Sequence, residues 1–169
     1  NVTLEDLAPW GTGPEDPLAG VAFQRHWERR AYLAGGGDYG APAQWVGDFL
    51  ARQTSTAPAG DAVNPSYLPG VRLGSLEGCL PDFVLEAIRE ALPMFERRIA
   101  GYTMDGALLT GVETRTSSPL RIPRDPLSFE SVNTPGLYPA GEGAGYGGGS
   151  LSAAIDGIQV AEALALSPV

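Results

Sequence analysis

The stretch that most constrains this chain runs over residues 135–166, PGLYPAGEGAGYGGGSLSAAIDGIQVAEALAL, where six of the nine residues from 141 to 149 are glycine. Glycine takes positive φ without steric cost and lets backbone come within contact distance of a ligand. Such a run is a loop, and its flanks decide what it connects. Residues 137–140 read as a short apolar strand, and helical periodicity begins at Ser150, an N-cap candidate. Leu151, Ile155, Ile158, Ala161 and Ala165 fall on one face at helical spacing, with Ser152, Asp156, Gln159 and Glu162 mostly away from it. Ala153, Ala154 and Gly157 are small enough for packing against a sheet. Gly157 costs about 1 kcal/mol of helix propensity relative to alanine, so a close approach is expected there. Strand, glycine loop and helix form an anion cradle: the unpaired N–H groups and the helix dipole favour each nearby negative charge by roughly 0.3–1 kcal/mol. A glycine-rich loop with no ligand is the alternative.

Two stretches match the dinucleotide fingerprint G-x-G-x-x-G. Gly35, Gly37 and Gly40 follow a helical pattern and read as a helix C-cap and loop. Gly143, Gly145 and Gly148 stand after the expected strand and before the helix, a better context. A Rossmann unit then needs a second parallel strand with an acidic residue about 20 positions on. The sequence ends at Val169, so residues 137–166 read as the last strand and helix of a nucleotide-binding sheet whose first unit lies elsewhere.

Upstream, residues 1–15 read as an irregular lead-in and Asp16-Pro17 as a helix start. Phe23, Trp27, Ala31 and Ala34 give an apolar line over residues 18–34, ended by the glycines at 35–37. His26, among charged neighbours, is a structural or surface histidine or a catalytic one. Pro42 is expected to open a second helix with Trp45, Val46, Phe49 and Leu50 grouped on it, so that Trp27 and Trp45 either pack the core or line a pocket. Residues 53–70 read as a long loop, functional or mobile, and 71–79 as strand or loop.

Leu85, Ile88, Leu92, Phe95 and Ile99 mark a helix over residues 80–100, which Pro93 is expected to kink or split near Leu92, and which Gly101 ends. Glu86, Arg89, Glu90, Glu96, Arg97 and Arg98 are expected on its solvated face. Residues 107–116 turn β-branched and read as a strand, with a second extended piece at 120–123 and turns to 135. No internal repeat is visible.

Composition narrows the function. A net charge of −9 opposes binding to a phosphate backbone, which needs clustered cations. All eleven basic residues are arginine, so lysine Schiff-base chemistry has no candidate. One cysteine, Cys79, and one histidine make neither an internal disulfide nor a Cys/His zinc set, and fit a reducing, cytoplasmic compartment. No apolar run approaches a membrane span, no signal peptide is present, and the start at Asn1 suits a trimmed chain.

The motifs GVETRTSSPLRIPRD (111–125) and NTPGLYPAGEGAGYGGGSLSAAIDGIQVAEAL (133–164) resemble the C-terminal part of bacterial FAD-dependent oxidoreductases of the glutathione-reductase type, described as NAD(FAD)-utilising dehydrogenases. The resemblance is strong over about a third of the chain. It implies an α+β fragment of a two-domain α/β flavoprotein. Residues 1–105 would come mainly from a helical substrate or cap domain, and 106–169 would return to the FAD-binding domain. The partner it implies is an N-terminal Rossmann portion of the same chain, and the cofactors are FAD and, as a candidate co-substrate, NAD(P)H.

By the same resemblance Gly141, Glu142, Gly143, Gly148, Gly149, Ser150 and Leu151 would face the cofactor. Glu142, matched through AGE at 140–142, would take ribityl or ribose hydroxyls, because its charge repels a pyrophosphate. Thr114, Arg115 and Thr116 would lie on the substrate side, with Arg115 either clamping a carboxylate or pairing with a surface acid such as Glu113. The catalytic residue and the substrate are not specified. The competing reading is a stand-alone acidic binding module without cofactor.

Overall fold

The computed structural model describes residues 2–13, 16–56, 64–115 and 117–166. It is α+β: helices α1 (Leu4–Leu7), α2 (Ala19–Ala34), α3 (Val46–Leu50), α4 (Asp82–Glu96) and α5 (Ser150–Leu166), with strands β1 (Ala41–Trp45), β2 (Val71–Leu73) and β3 (Leu108–Thr110). The chain divides into two compact units, residues 25–114 and residues 1–24 with 115–169.

The 25–114 unit holds a three-stranded mixed sheet in the order β2-β1-β3, β1 running parallel to β2 and antiparallel to β3. The expected helix from Pro42 is instead the buried central strand, and helix begins only at Val46. Pro42 is tolerated because it stands at the end of the β1–β3 ladder, beyond the last residue of β3: its carbonyl still accepts the Gly111 amide at 2.8 Å, and its missing N–H costs only the terminal bond. Gln44 is fully buried with its amide satisfied at both ends: Nε2 donates to the Gln53 carbonyl at 2.6 Å, and Oε1 accepts the Leu76 amide at 2.9 Å. Trp45 is a core residue. The loop at 53–70 carries no element where it is described, and 57–63 lie outside the described residues.

Against the sheet, Val46, Phe49, Leu85 and Leu92 form the buried core. α4 runs unbroken from Asp82 to Glu96 through Pro93, so the expected pair of abutting helices is one helix. Pro93 forgoes the bond its N–H would make to the Arg89 carbonyl, and the helix ends three residues later at Glu96. Arg89 is buried, contrary to its expected solvated position, because partners surround it. Its Nε donates to the Phe49 carbonyl at 3.1 Å, Nη1 to Glu86 at 2.8 Å and Nη2 to Glu77 at 3.1 Å, and the guanidinium lies 4.5 Å from the Phe49 ring centroid. Glu96 accepts the amides of Gly101 and Thr103, which hold its carboxyl below the usual range and close the turn behind α4. Cys79 is a buried free thiol whose pKa burial raises.

In the other unit the lead-in is more regular than expected. The amide and hydroxyl of Thr3 both donate to Asp6 at 2.7 Å, starting α1, and a 3-10 turn Ala8–Trp10 follows. Asp16 accepts the Leu18 amide at 2.8 Å, and α2 starts at Ala19. Residues 137–140 form no strand with any described residue; they are tied to the preceding turn, the Ser131 amide donating to the Leu137 carbonyl at 2.8 Å. The strand expected over 107–116 is confined to Leu108–Thr110, and the extended piece near 120–123 is followed by an Arg124–Ser131 bridge.

α5 spans the expected residues, and its apolar line lies on the exposed side. Leu151, Ile155 and Ile158 are 76%, 48% and 60% exposed, and Ala161 and Ala165 are exposed as well, whereas Asp156 and Val160 are buried. The reason is polar: Asp156 is drawn inward by Arg124. Gly157, where a close neighbour was expected, has none among the described residues, and the tight contact falls at Ala153 against Gly147.

Candidate functional site

The glycine loop hangs from a polar knot. The two Arg124 Nη atoms grip the Asp156 carboxylate at 2.5 and 3.0 Å, with both side chains buried, and Nη1 also donates to the Pro139 carbonyl at 2.6 Å. The Gly141 amide donates to Asp156 at 2.8 Å, so one carboxylate ties the loop's first residue to the middle of α5. The Arg124 guanidinium holds the Asp156 carboxyl below the ordinary carboxylate range, with the Gly141 amide adding to the effect.

Tyr146 completes the knot. Its ring centroid lies 3.6 Å from the Arg124 guanidinium and 4.1 Å from that of Arg121. Its hydroxyl donates to the Ile122 carbonyl at 3.0 Å, and its amide to the Gly141 carbonyl at 2.9 Å. Such charge-assisted, two-pronged bonds are short and directional, which suits them to fixing a loop otherwise free in φ and ψ.

The loop glycines separate by what a Cβ would meet. At Gly145, φ is +85° and a Cβ would stand 2.8 Å from the Leu120 carbonyl oxygen. At Gly147 it would stand 2.9 Å from the Ala153 backbone, and at Gly141 φ is +70°. These three are required by the protein's own fold. At Gly143 and Gly149 a Cβ would meet nothing within 4 Å, and at Gly148 only the Ser117 hydroxyl at 4.0 Å. Gly145→Ala is therefore expected to destabilise the protein by about 2 kcal/mol, and Gly143→Ala by less than about 0.5 kcal/mol. Thermal melts of the two variants check this, and equal melting temperatures would contradict it.

Beside the loop lies a cleft of about 380 Å3 lined by Gln24, Arg115, Ser117, Ser118, Glu142 and Gly143, with Pro119 and Leu120 as its apolar floor. It brings Arg115 and Glu142, expected on the substrate and cofactor sides, to one place. Ser118 Oγ donates to the Leu120 carbonyl at 2.7 Å and lies 3.3 Å from that of Gly143; Gln24 Nε2 donates to the Ser117 carbonyl at 3.3 Å. Thr114 belongs to the other unit, where its hydroxyl donates to Glu28 at 3.2 Å, and Thr116 lies outside the described residues. Gln24, Ser117 and Ser118 were not singled out from sequence, since isolated polar residues carry no periodicity.

The helix after the loop begins one residue earlier in function than its expected cap. Ala153 donates to the Gly149 carbonyl at 3.0 Å, making Gly149 the N-cap and Ser150 the first helical residue. Ser152 Oγ accepts the Gly148 amide at 3.1 Å, closing the loop onto the helix. The amides of Ser150 and Leu151 are in the first turn, where no intrahelical acceptor exists. Among the described residues no cluster of three or more His, Cys, Asp or Glu is arranged to hold a metal, and no helix is long and apolar enough to cross a membrane.

A family model described as "FAD-dependent protein, C-terminal domain-like" matches residues 2–116. A curated relative, an uncharacterised protein of Clostridium beijerinckii (strain ATCC 51743 / NCIMB 8052), is 51% identical over 154 residues, which make up 88% of this chain. The chain spans 28% of that relative's length.

Proposed function

Because the chain belongs to the family of FAD-dependent protein C-terminal-like domains, we propose that it forms the C-terminal part of an FAD-dependent oxidoreductase of the glutathione-reductase type, with its glycine loop and the start of α5 facing the cofactor. The observation that carries this reading is the sorting of the glycines: Gly143, Gly148 and Gly149 face open space although neither packing nor a positive φ requires glycine there. A ligand that backbone must approach closely accounts for them, and so the residues present fit a dinucleotide. In this reading residues 1–105 belong mainly to a substrate or cap part and 106–169 return to the FAD-binding part.

Each side chain then has a task. Glu142 accepts hydrogen bonds from ribityl or ribose hydroxyls. The open backbone at Gly143, Gly148 and Gly149 permits contact. The amides of Ser150 and Leu151, at the positive end of α5, favour negative charge on the edge they face. Gly141 serves as the pivot, its N–H engaged by Asp156 of α5 and its C=O by the Tyr146 amide within the loop. Arg115 offers a planar pair of donors to a substrate carboxylate, flanked by the Ser117 and Ser118 hydroxyls. FAD, when bound, supplies the redox chemistry, and the protein positions it.

The test is the visible spectrum of the full-length protein as purified. Flavin absorption is expected, and a colourless protein that takes up no added FAD would overturn the reading in favour of a cofactor-free binding module. In the full-length protein Glu142→Ala is expected to weaken FAD retention about tenfold, the loss of one to two hydrogen bonds, with an unchanged melting temperature of the apoprotein. Unchanged FAD affinity in a titration would remove Glu142 from this role.

A further inference from the structure

The 25–114 unit contains a second, differently built cavity. It has a volume of about 220 Å3, and its walls are Phe49, Leu76, Leu80, Leu85, Ile88 and Leu109. Phe49, Leu76 and Leu85 are buried core residues. The exposed lining residues are Thr110 and Glu113, so the mouth lies at the end of β3 and the segment that follows.

Native cores rarely keep voids much larger than a water molecule, because side chains relax into them. Here the walls are fixed from behind by hydrogen bonds that do not depend on the cavity being filled. The Leu76 amide is bound to the buried Gln44 at 2.9 Å, the Phe49 carbonyl to Arg89 at 3.1 Å, and the Gly111 amide to the Pro42 carbonyl at 2.8 Å. Three separate elements are thus held apart around the space.

We propose that this cavity is a binding site for a small uncharged apolar molecule of about one aromatic ring. A dry cavity of about 150 Å3 lined by Leu, Ile and Phe accepts benzene. The chemistry is equally selective. Away from Thr110 and Glu113 at the mouth and the Gly111 and Val112 backbone beside them, the lining is hydrocarbon with no side-chain donor or acceptor, so a polar ligand would leave its own groups unsatisfied inside. The proposal is independent of the FAD reading, since every residue it uses lies within the 25–114 unit.

The test is a methyl-resolved NMR titration of the full-length protein, labelled at Ile, Leu and Val methyls, with benzene and separately with benzoate. Saturable shifts confined to Leu76, Leu85, Ile88 and Leu109, and contacts from benzene protons to the same methyls, are expected. Benzoate is expected to bind at least about tenfold more weakly. Ile88→Trp, which fills the cavity, is expected to abolish the benzene shifts; Leu109→Phe serves the same purpose if the first variant does not fold. Absence of saturable shifts, shifts spread over surface methyls, or shifts that persist in a folded filled variant would each overturn the proposal.

Discussion

Asp156→Ala is expected to destabilise the unit that carries the glycine loop by about 3–5 kcal/mol, the usual result of removing one partner from a buried ion pair. The loss exceeds that of a surface salt bridge because the variant leaves the Arg124 guanidinium buried against Tyr146 with one acceptor, the Pro139 carbonyl, in place of three. It also releases the Gly141 amide. The pH dependence follows from the same carboxylate. Its folded-state pKa is lowered, so its contribution is complete above the unfolded value of about 3.9 and is lost as pH falls below that toward the folded value. Thermal melts from pH 7 to pH 2 are expected to show this acid-side loss in the native protein and a smaller one in Asp156→Asn. Identical acid slopes in the two would contradict the assignment.

Phe49→Ala is expected to cost about 3–5 kcal/mol in the 25–114 unit. Phe49 is fully buried at the centre of the core, and its ring carries the Arg89 guanidinium at 4.5 Å. Truncation therefore removes both apolar contact and the surface on which a buried cation rests. A denaturant midpoint shifted by less than the equivalent of about 1 kcal/mol would show that the core closes over the gap.

The sequence made the long helices legible because their periodicity extends over several turns: α2 ends at its glycines, α4 follows Leu85, Ile88 and Leu92, and α5 begins at Ser150. β1 was not legible. APAQW has no β-branched residue, and Pro42 resembles a helix start. What makes it a strand is pairing with residues about 30 and 65 positions away, which no local window contains. The orientation of α5 was not legible for a related reason. Leu151, Ile155 and Ile158 outweigh Asp156 in any hydrophobic pattern, but a buried carboxylate with a two-pronged arginine partner decides which side turns inward. The candidate site was legible in its glycines, whose density marks a loop, whereas Glu142 and Arg115 stood out only through the family resemblance. It was not legible in Gln24, Ser117 and Ser118, which the fold alone assembles.

The Asp156 knot also acts as an angular index. Successive residues of an α-helix are 100° apart, so sliding α5 by one residue would present Ile155 or Gly157 to Arg124 and forfeit the three bonds that Asp156 accepts. The rotational phase of the helix is therefore set by a single carboxylate. The line of Leu151, Ile155 and Ile158 on its far side is thereby aimed in one direction, whatever becomes of those apolar residues themselves.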